Sequence, residues 1–258
     1  MNVTFIAHSA FLVEWDKFYT LFDYTYEPDY TGALPELSGD KPLLVFSSHS
    51  HEDHFDAKVF TLLEKYPGAR FFVSRDTRLT ERKRQWLNIS DAAFARTTVL
   101  RPDSILLTDV AGEDLSIRAI KSTDIGNAYL LRCEGKMVYH GGDLNWWDWK
   151  SEGEAYCNNM AAHYRAAIEK LAAAVENEAT DNAIAPEITA AMAPLDPRLG
   201  EGSEGLGIEE LMRQIKVQHV FPMHMWKKYE VIDHYLAAHP AQKDAIARIT
   251  REGESFVI

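Results

Sequence analysis

The sequence predicts an α+β fold in which β-sheets pack together and helices cover their outer faces. Three observations carry this reading. Strand-like segments come first, and strand-like segments alternating with helical ones follow. The run Leu43–Phe46, LLVF, is continuously apolar, as suits a strand covered on both faces. The chain has 258 residues, 46% of them hydrophobic, enough for a sizeable core. No fixed-period repeat and no linker divides it, so residues 1–258 read as a single domain.

The elements follow in order. VTFIAH (3–8), AFLVEW (10–15) and YTLFD (19–23) lie close together, as in a meander of tight turns. Residues 27–42 read as loop, with Pro28, Gly32, Pro35, Gly39 and Pro42. After the 43–46 strand, Asp56 is a good helix N-cap, and Phe55 and Phe60 suit a hydrophobic staple. Val59, Leu62, Leu63 and Tyr66 make one helical face, and Pro67-Gly68 ends the helix. FFVS (71–74) is the next strand. SILL (104–107), LSIRAI (115–120), AYLLRC (128–133) and KMVYH (136–140) continue the series. A long helix is expected over 154–178, with Met160, Tyr164, Ile168, Leu171 and Val175 as its buried stripe. A strand TAAMAPL (189–195), a Gly-rich loop (199–207), a helix over 208–215 and a strand VQHVF (217–221) come next. A helix over 229–238 and a final strand ESFVI (254–258) close the chain.

Charge and cysteine usage narrow the function. The net charge of −12 argues against nucleic acid as a partner, and the basic run 75–87 reads as a solvated face. No apolar run approaches a membrane span, and the N-terminus does not read as a signal peptide, so a cytoplasmic protein is expected. Cys133 and Cys157 form no CxxC pair, which argues against zinc ribbons and redox motifs.

The stretch SSHSHEDHFD, Ser47 to Asp56, packs three histidines and three carboxylates into ten residues. His49 and His51, two apart after an apolar strand, point the same way if extended. Asp53 and His54 follow in a turn. Such a strand-to-helix loop offers ligands that suit Zn²⁺, Mn²⁺ or Fe. Asp143 follows two glycines after a strand, where a carboxylate can turn inward. His224 follows Pro222 at a strand end.

HSHEDH (49–54) resembles the HxHxDH signature of metallo-β-lactamase-fold hydrolases. HSAFLVE (8–14), LFD (21–23), VYHGGDL (138–144), APLDPRLG (193–200) and FPMHMW (221–226) extend the resemblance in order along the chain. They resemble the branch that includes ascorbate-6-phosphate lactonase. The resemblance implies an αββα four-layer sandwich of two mixed β-sheets with helices on the outer faces. It implies that His49 and His51 bind one metal, that Asp53 and His54 face a second, that Asp143 bridges, and that His224 binds the second. One or two divalent ions (Zn, Mn or Fe) are expected.

One departure stands out. The family supplies a further His to the first metal from the segment that here reads AIKSTDIGNAYLL (119–131), and no His lies between His54 and His140. The position falls near Ser122, Thr123 or Asp124. Asp124 is the candidate substitute, against a simple cap or turn role, and an oxygen ligand there favours Mn²⁺ or Fe over Zn²⁺. By the same resemblance, Asp23 is expected to accept an imidazole N–H, His140 to line the cleft or orient a ligand, and His8 to contact substrate or sit beneath the meander. Arg198 is a candidate for binding a substrate anion, or else a structural partner of Asp196. LNWWDW (144–149) reads as fixing the start of the long helix, with an apolar lid as the alternative.

The implied chemistry is hydrolysis by metal-bound hydroxide of a small lactone, ester or phosphoester, with Asp53 orienting water or serving the leaving group. No GxSxG elbow or GxxxxGK[ST] loop offers another route. The alternative is a degenerate, non-catalytic member that binds a metal or ligand. The expected partner is a small-molecule substrate, with a homo-oligomer left open.

Overall fold

The computed structural model describes residues 1–26 and 32–258. Within the expected 27–42 loop, residues 27–31 lie outside the described residues, and 32–42 carry no helix or strand. β1 (Asn2–Ala7), β2 (Ala10–Glu14) and β3 (Tyr19–Phe22) form the antiparallel meander. β4 (Leu43–Ser47), β5 (Arg70–Ser74) and β6 (Thr97–Leu100) extend it in parallel. Between them lie α1 (Leu62–Lys65), α2 (Glu81–Trp86) and α3 (Asp91–Ala95).

The second sheet starts with β7 (Ile105–Val110), β8 (Glu113–Lys121), β9 (Asn127–Cys133) and β10 (Lys136–His140), all antiparallel. After α4 (Glu154–Asn182), β11 (Glu187–Pro194) joins β10 in parallel. α5 (Leu206–Gln214) leads to β12 (Lys216–Met223), also parallel. α6 (Glu230–Ala238) and β13 (Glu254–Val257) finish the chain, with β13 pairing antiparallel to β1. The strand orders are β13-β1-β2-β3-β4-β5-β6 and β12-β11-β10-β9-β8-β7, so both sheets are mixed.

Strand alternation builds four layers. Phe5, Phe11, Phe22, Phe46 and Phe72 of the first sheet share one core with Ile117, Tyr129, Leu131 and Val138 of the second. Their sequence neighbours Ile6, Leu12, Leu21, Val45 and Phe71 face the other way, onto Phe60, Leu62, Tyr66 and Ala93. On the outer face of the second sheet, α4 buries Tyr164, Ile168, Leu171 and Val175, while Met160 is half-buried. Each such burial contributes about 1.5–3 kcal/mol. α4 is also fixed by Glu178, buried against the sheet, which accepts from Ser116 Oγ (2.7 Å), Arg118 Nε (2.5 Å) and Arg132 Nε (3.1 Å).

Three local differences have physical causes. The segment after Asp56 begins as a 3-10 turn, Ala57–Thr61, before α1; Asp56 Oδ1 accepts from Lys58 N, and the Phe55 and Phe60 rings meet edge-on at 6.3 Å. β6 escapes a sequence reading because it is an edge strand whose Val99 is exposed, so it has no alternating apolar pattern. α3 is only five residues long and buries only Ala93. Among the described residues, no helix is long and apolar enough to cross a membrane.

Candidate metal centre

The chemistry-bearing residues gather where strands end. His8 follows β1, Asp23 follows β3, and Ser48–His54 follow β4. Asp124 lies in the β8–β9 turn, Asp143 after β10, Asp196 after β11 and His224 after β12. His8, Asp23 and His224 leave their strands with positive φ (48°, 44° and 64°), which turns each side chain out of the pleat. Two glycines let the backbones converge. A Cβ on Gly142 (φ +51°) would lie 2.6 Å from Ser48 Cβ, and one on Gly126 (φ +73°) 2.3 Å from the Ser48 carbonyl oxygen.

Two donor groups result. One is His49, His51, Asp124 and Asp143; the other is His8, Asp53, His54 and His224. In each group the candidate ligand atoms all lie within 4.8 Å of one another. Asp143 faces both groups. Its Oδ2 is 3.5 Å from His49 Nε2, and its Oδ1 is 3.1 Å from His54 Nε2 and 3.4 Å from His224 Nε2. In the first group His49 Nε2 and His51 Nδ1 are 3.0 Å apart, and His51 Nδ1 is 3.7 Å from Asp124 Oδ2. In the second, Asp53 Oδ2 lies 3.2 Å from His8 Nε2 and 3.7 Å from both His54 Nε2 and His224 Nε2.

These separations fit a cation. Tetrahedral ligands about 2.0–2.1 Å from zinc sit roughly 3.3 Å from one another. His54 Nε2, His224 Nε2 and Asp143 Oδ1 are buried, close together and without a hydrogen-bond partner. Left so, each would cost about 1–3 kcal/mol, a cost that a cation among them removes.

Supporting residues select the ring nitrogens. Asp23 Oδ2 accepts from His54 Nδ1 at 2.7 Å, and Asp196 Oδ2 accepts from His224 Nδ1 at 2.9 Å. Each bond places the protonated nitrogen away from the centre and leaves Nε2 as the ligand atom. Ser48 Oγ donates to Asp23 Oδ2 at 2.6 Å and lies 2.9 Å from His49 Nδ1. Ser48 and the His224–Asp196 pairing were not anticipated; a Ser directly before the His motif is the only signal the sequence offers.

Electrostatics follow the same map. Burial pushes His8 and His49 down to about 4, so both are neutral near pH 7. Burial also opposes a charge on His54 and His224, but Asp143 and Asp23 raise the first, and Asp196 and Asp53 the second. Burial would raise Asp53, Asp143 and Asp196, yet the facing imidazoles hold all three below the usual carboxylate range. Asp124 goes the other way, raised by burial and by the Asp143 charge.

Of the three positions opposite the missing His, Asp124 enters a donor group. Ser122 Oγ accepts from Asp124 N at 3.1 Å, and Thr123 Oγ1 donates to the Asn145 carbonyl at 2.7 Å. Asp23 partners an imidazole, as its place in the motif implies. His140 does not line the cleft: its Nε2 donates to the Ser9 carbonyl (2.9 Å) and its Nδ1 accepts from Gly142 N (3.2 Å), so it fixes the turn that carries Asp143. Arg198 takes its structural alternative, a two-pronged pair with Asp196 (Nε to Oδ1 3.0 Å, Nη2 to Oδ2 2.5 Å). Its guanidinium lies 4.3 Å from the Trp226 ring and 5.5 Å from Trp149. The tryptophan segment divides. Trp146 packs on Tyr164 of α4, whereas Trp147 donates to the Asp143 carbonyl (3.0 Å) and meets the His224 ring edge-on at 5.5 Å. The helix-fixing role therefore holds for Trp146, and Trp147 walls the centre. His51 and Asp124 are the exposed rim, with side chains 49% and 40% accessible, while His49, His54 and His224 are buried.

No family model matches the chain. The solved structure of Igni18, a metallo hydrolase from Ignicoccus hospitalis, aligns over 100% of this chain and 98% of its own, with TM-score 0.57 and 19% identity. The metallo-β-lactamase fold protein YhfI from Bacillus subtilis aligns over 99% of both chains, with TM-score 0.51 and 10% identity. The chain has the metallo-β-lactamase fold. CmlA, a diiron β-hydroxylase from Streptomyces venezuelae, shares it at TM-score 0.59 and 10% identity, over 100% of this chain and 54% of its own. In sequence, the chain is 28% identical over 166 residues to a UPF0173 metal-dependent hydrolase of Korarchaeum cryptofilum, covering 62% of this chain and 68% of that protein.

Proposed function

We propose that this metallo-β-lactamase-fold chain is a metal-dependent hydrolase of small lactones, esters or phosphoesters. The observation that carries the reading is the placement of Asp143, one carboxylate oxygen toward each donor group. The Korarchaeum relative, described as a metal-dependent hydrolase, supports it. His49, His51, Asp124 and Asp143 would hold one divalent cation, and Asp53, His54, His224 and Asp143 a second. Bound there, such a cation supplies Lewis acidity and brings the pKa of a water to about 7. Each group pairs two imidazoles with two carboxylates, a mixed donor set that suits Zn²⁺, Mn²⁺ or Fe.

The protein's own groups do the rest. Asp23, Asp196 and Ser48 hold the imidazoles in orientation. Asp53 is held ionised and is partly accessible, so it suits accepting a hydrogen bond from the attacking water and orienting it. Trp147, Trp149, Trp226 and the Arg198 guanidinium line one side of the second group, and His51 and Asp124 form an accessible rim at the first. The HSAFLVE and APLDPRLG motifs make lactones the first class to try.

The test is element analysis of protein expressed with Mn²⁺ and Zn²⁺, followed by a panel of lactone, ester and phosphodiester substrates. We expect near-stoichiometric metal and turnover on at least one class, with turnover lost and metal content lowered in both His51→Ala and Asp143→Ala. Metal-free protein, or turnover that survives both substitutions, overturns the proposal.

A further inference from the structure

We propose that His8 is a third imidazole ligand of the second metal position, so that the imidazole missing from the first position is offset by one at the second. The inference rests on the metal-dependent reading above and concerns how the ligands are divided. His8 comes from the other end of the sequence, in the tight turn after β1, and nothing in the His49–His54 motif calls for it. The fold nevertheless delivers its ring to the centre. A ring nitrogen of His8 lies within 4.8 Å of the ligand atoms of Asp53, His54 and His224. The His8 Nε2 to Asp53 Oδ2 separation, 3.2 Å, matches the roughly 3.3 Å expected between neighbouring ligands of one tetrahedral ion.

The ring is held for that task. His8 is buried, and its ring packs 4.3 Å from the His224 ring and 4.6 Å from Trp226. The His8 carbonyl accepts from His224 N at 3.1 Å, so the two histidines are tied through the backbone as well. The backbone at His8 adopts φ 48°, a conformation that a non-glycine residue adopts at some cost. The second position then has three imidazoles (His8, His54, His224) with Asp53 and Asp143 Oδ1. The first has two imidazoles (His49, His51) with Asp124 and Asp143 Oδ2. Imidazole-rich sites suit zinc and carboxylate-rich sites suit manganese. The second position, with the extra imidazole, should therefore be the tighter of the two for Zn²⁺.

A ligand and a mere orienter of Asp53 are separable by experiment. The full-length protein, ¹⁵N-labelled at histidine, is loaded with ¹¹³Cd²⁺, and nitrogen–cadmium couplings are recorded. Coupling to five imidazoles is expected, including His8, and the His8→Ala spectrum should lose the His8 signal while the His49 and His51 couplings persist. Stepwise Zn²⁺ titration of apo-protein gives the second readout. Losing a ligand should weaken one binding step by more than 100-fold, beyond the roughly 10–100-fold expected of a residue that only orients a ligand. His8→Gln keeps a hydrogen-bonding group beside Asp53 but no imidazole, and should bind as poorly as His8→Ala. Circular dichroism and thermal melts of apo-protein establish that both variants fold. Absence of a His8 coupling in wild-type protein, or recovery of zinc affinity in His8→Gln, overturns the inference while leaving the hydrolase reading intact. Failure of wild-type protein to bind Cd²⁺ or Zn²⁺ at all overturns both.

Discussion

Asp23 Oδ2 accepts the Nδ1–H of His54 at 2.7 Å, and this bond decides which nitrogen of His54 faces the metal centre. The same carboxylate accepts from the Ser48 backbone N–H (2.7 Å) and the Ser48 hydroxyl (2.6 Å). Burial alone would raise the Asp23 carboxyl, but the neighbouring His140 and His54 imidazoles and the His54 hydrogen bond lower it. One buried group thus orients His54 directly and His49 through Ser48.

Asp23→Ala should therefore damage stability and metal binding together. It leaves three buried donors without an acceptor. We expect about 3–5 kcal/mol of lost stability in denaturant unfolding of apo-protein, and roughly 10–100-fold weaker metal binding in titrations. Unchanged metal affinity would show that the imidazoles orient themselves without it.

Asp124→His restores the imidazole that the 119–131 segment lacks. The Zn²⁺ over Mn²⁺ affinity ratio should rise by about tenfold or more, because a nitrogen donor replaces an oxygen at the first position. Competitive titration of the two metals reads the ratio. A ratio that does not move would place Asp124 outside the coordination sphere, despite its Oδ2 lying 3.7 Å from His51 Nδ1.

Gly142→Ala tests the convergence of the backbones. The new methyl would meet Ser48 Cβ at 2.6 Å on a backbone with φ +51°, so either the Asp143 turn or the Ser48 loop must shift. We expect at least about 2 kcal/mol of destabilisation and loss of metal at both positions, since Asp143 lies against both donor groups. Wild-type metal content in this variant would mean that the turn yields without moving Asp143.

Metal uptake should weaken in acid. A ligating imidazole must first lose its proton. His54 and His224, raised by their carboxylates, hold protons in the apo-protein to a higher pH than a free imidazole would. Binding at the second position therefore releases protons, and apparent affinity increases as pH rises through these raised values. His8 and His49, near 4, are already neutral and release none near pH 7. Calorimetric titration in two buffers of different ionisation enthalpy measures the release; heats independent of buffer would contradict it.

Glu178→Ala supplies the contrast. It removes the acceptor of Ser116, Arg118 and Arg132 between α4 and the second sheet. About 3 kcal/mol of stability should be lost, while metal affinity of the folded protein stays within twofold. A large loss of metal would mean that α4 positions the centre through the sheet.

Much of this architecture was legible beforehand because its signals are local. Residues 43–46 read as a doubly covered strand, and the structure puts Leu44 and Phe46 on the inter-sheet core and Leu43 and Val45 on the helical side. The long helix announced itself through Tyr164, Ile168, Leu171 and Val175, and ran on past its last apolar contacts to Asn182. β6 stayed hidden because an exposed edge strand needs no apolar alternation.

The sequence by itself determined the candidate donor residues, the strand ends that carry them and the absence of a histidine between His54 and His140. Only the tertiary structure decided how they divide: Asp124 beside His51, His8 beside Asp53, Asp143 between the two groups, and Arg198 turned onto Asp196. The physical reason is distance along the chain. Spacing of two residues fixes how His49 and His51 point relative to each other. The meeting of His8 with His224, 216 residues away, depends on two sheets closing face to face and on glycines that let their strand ends touch.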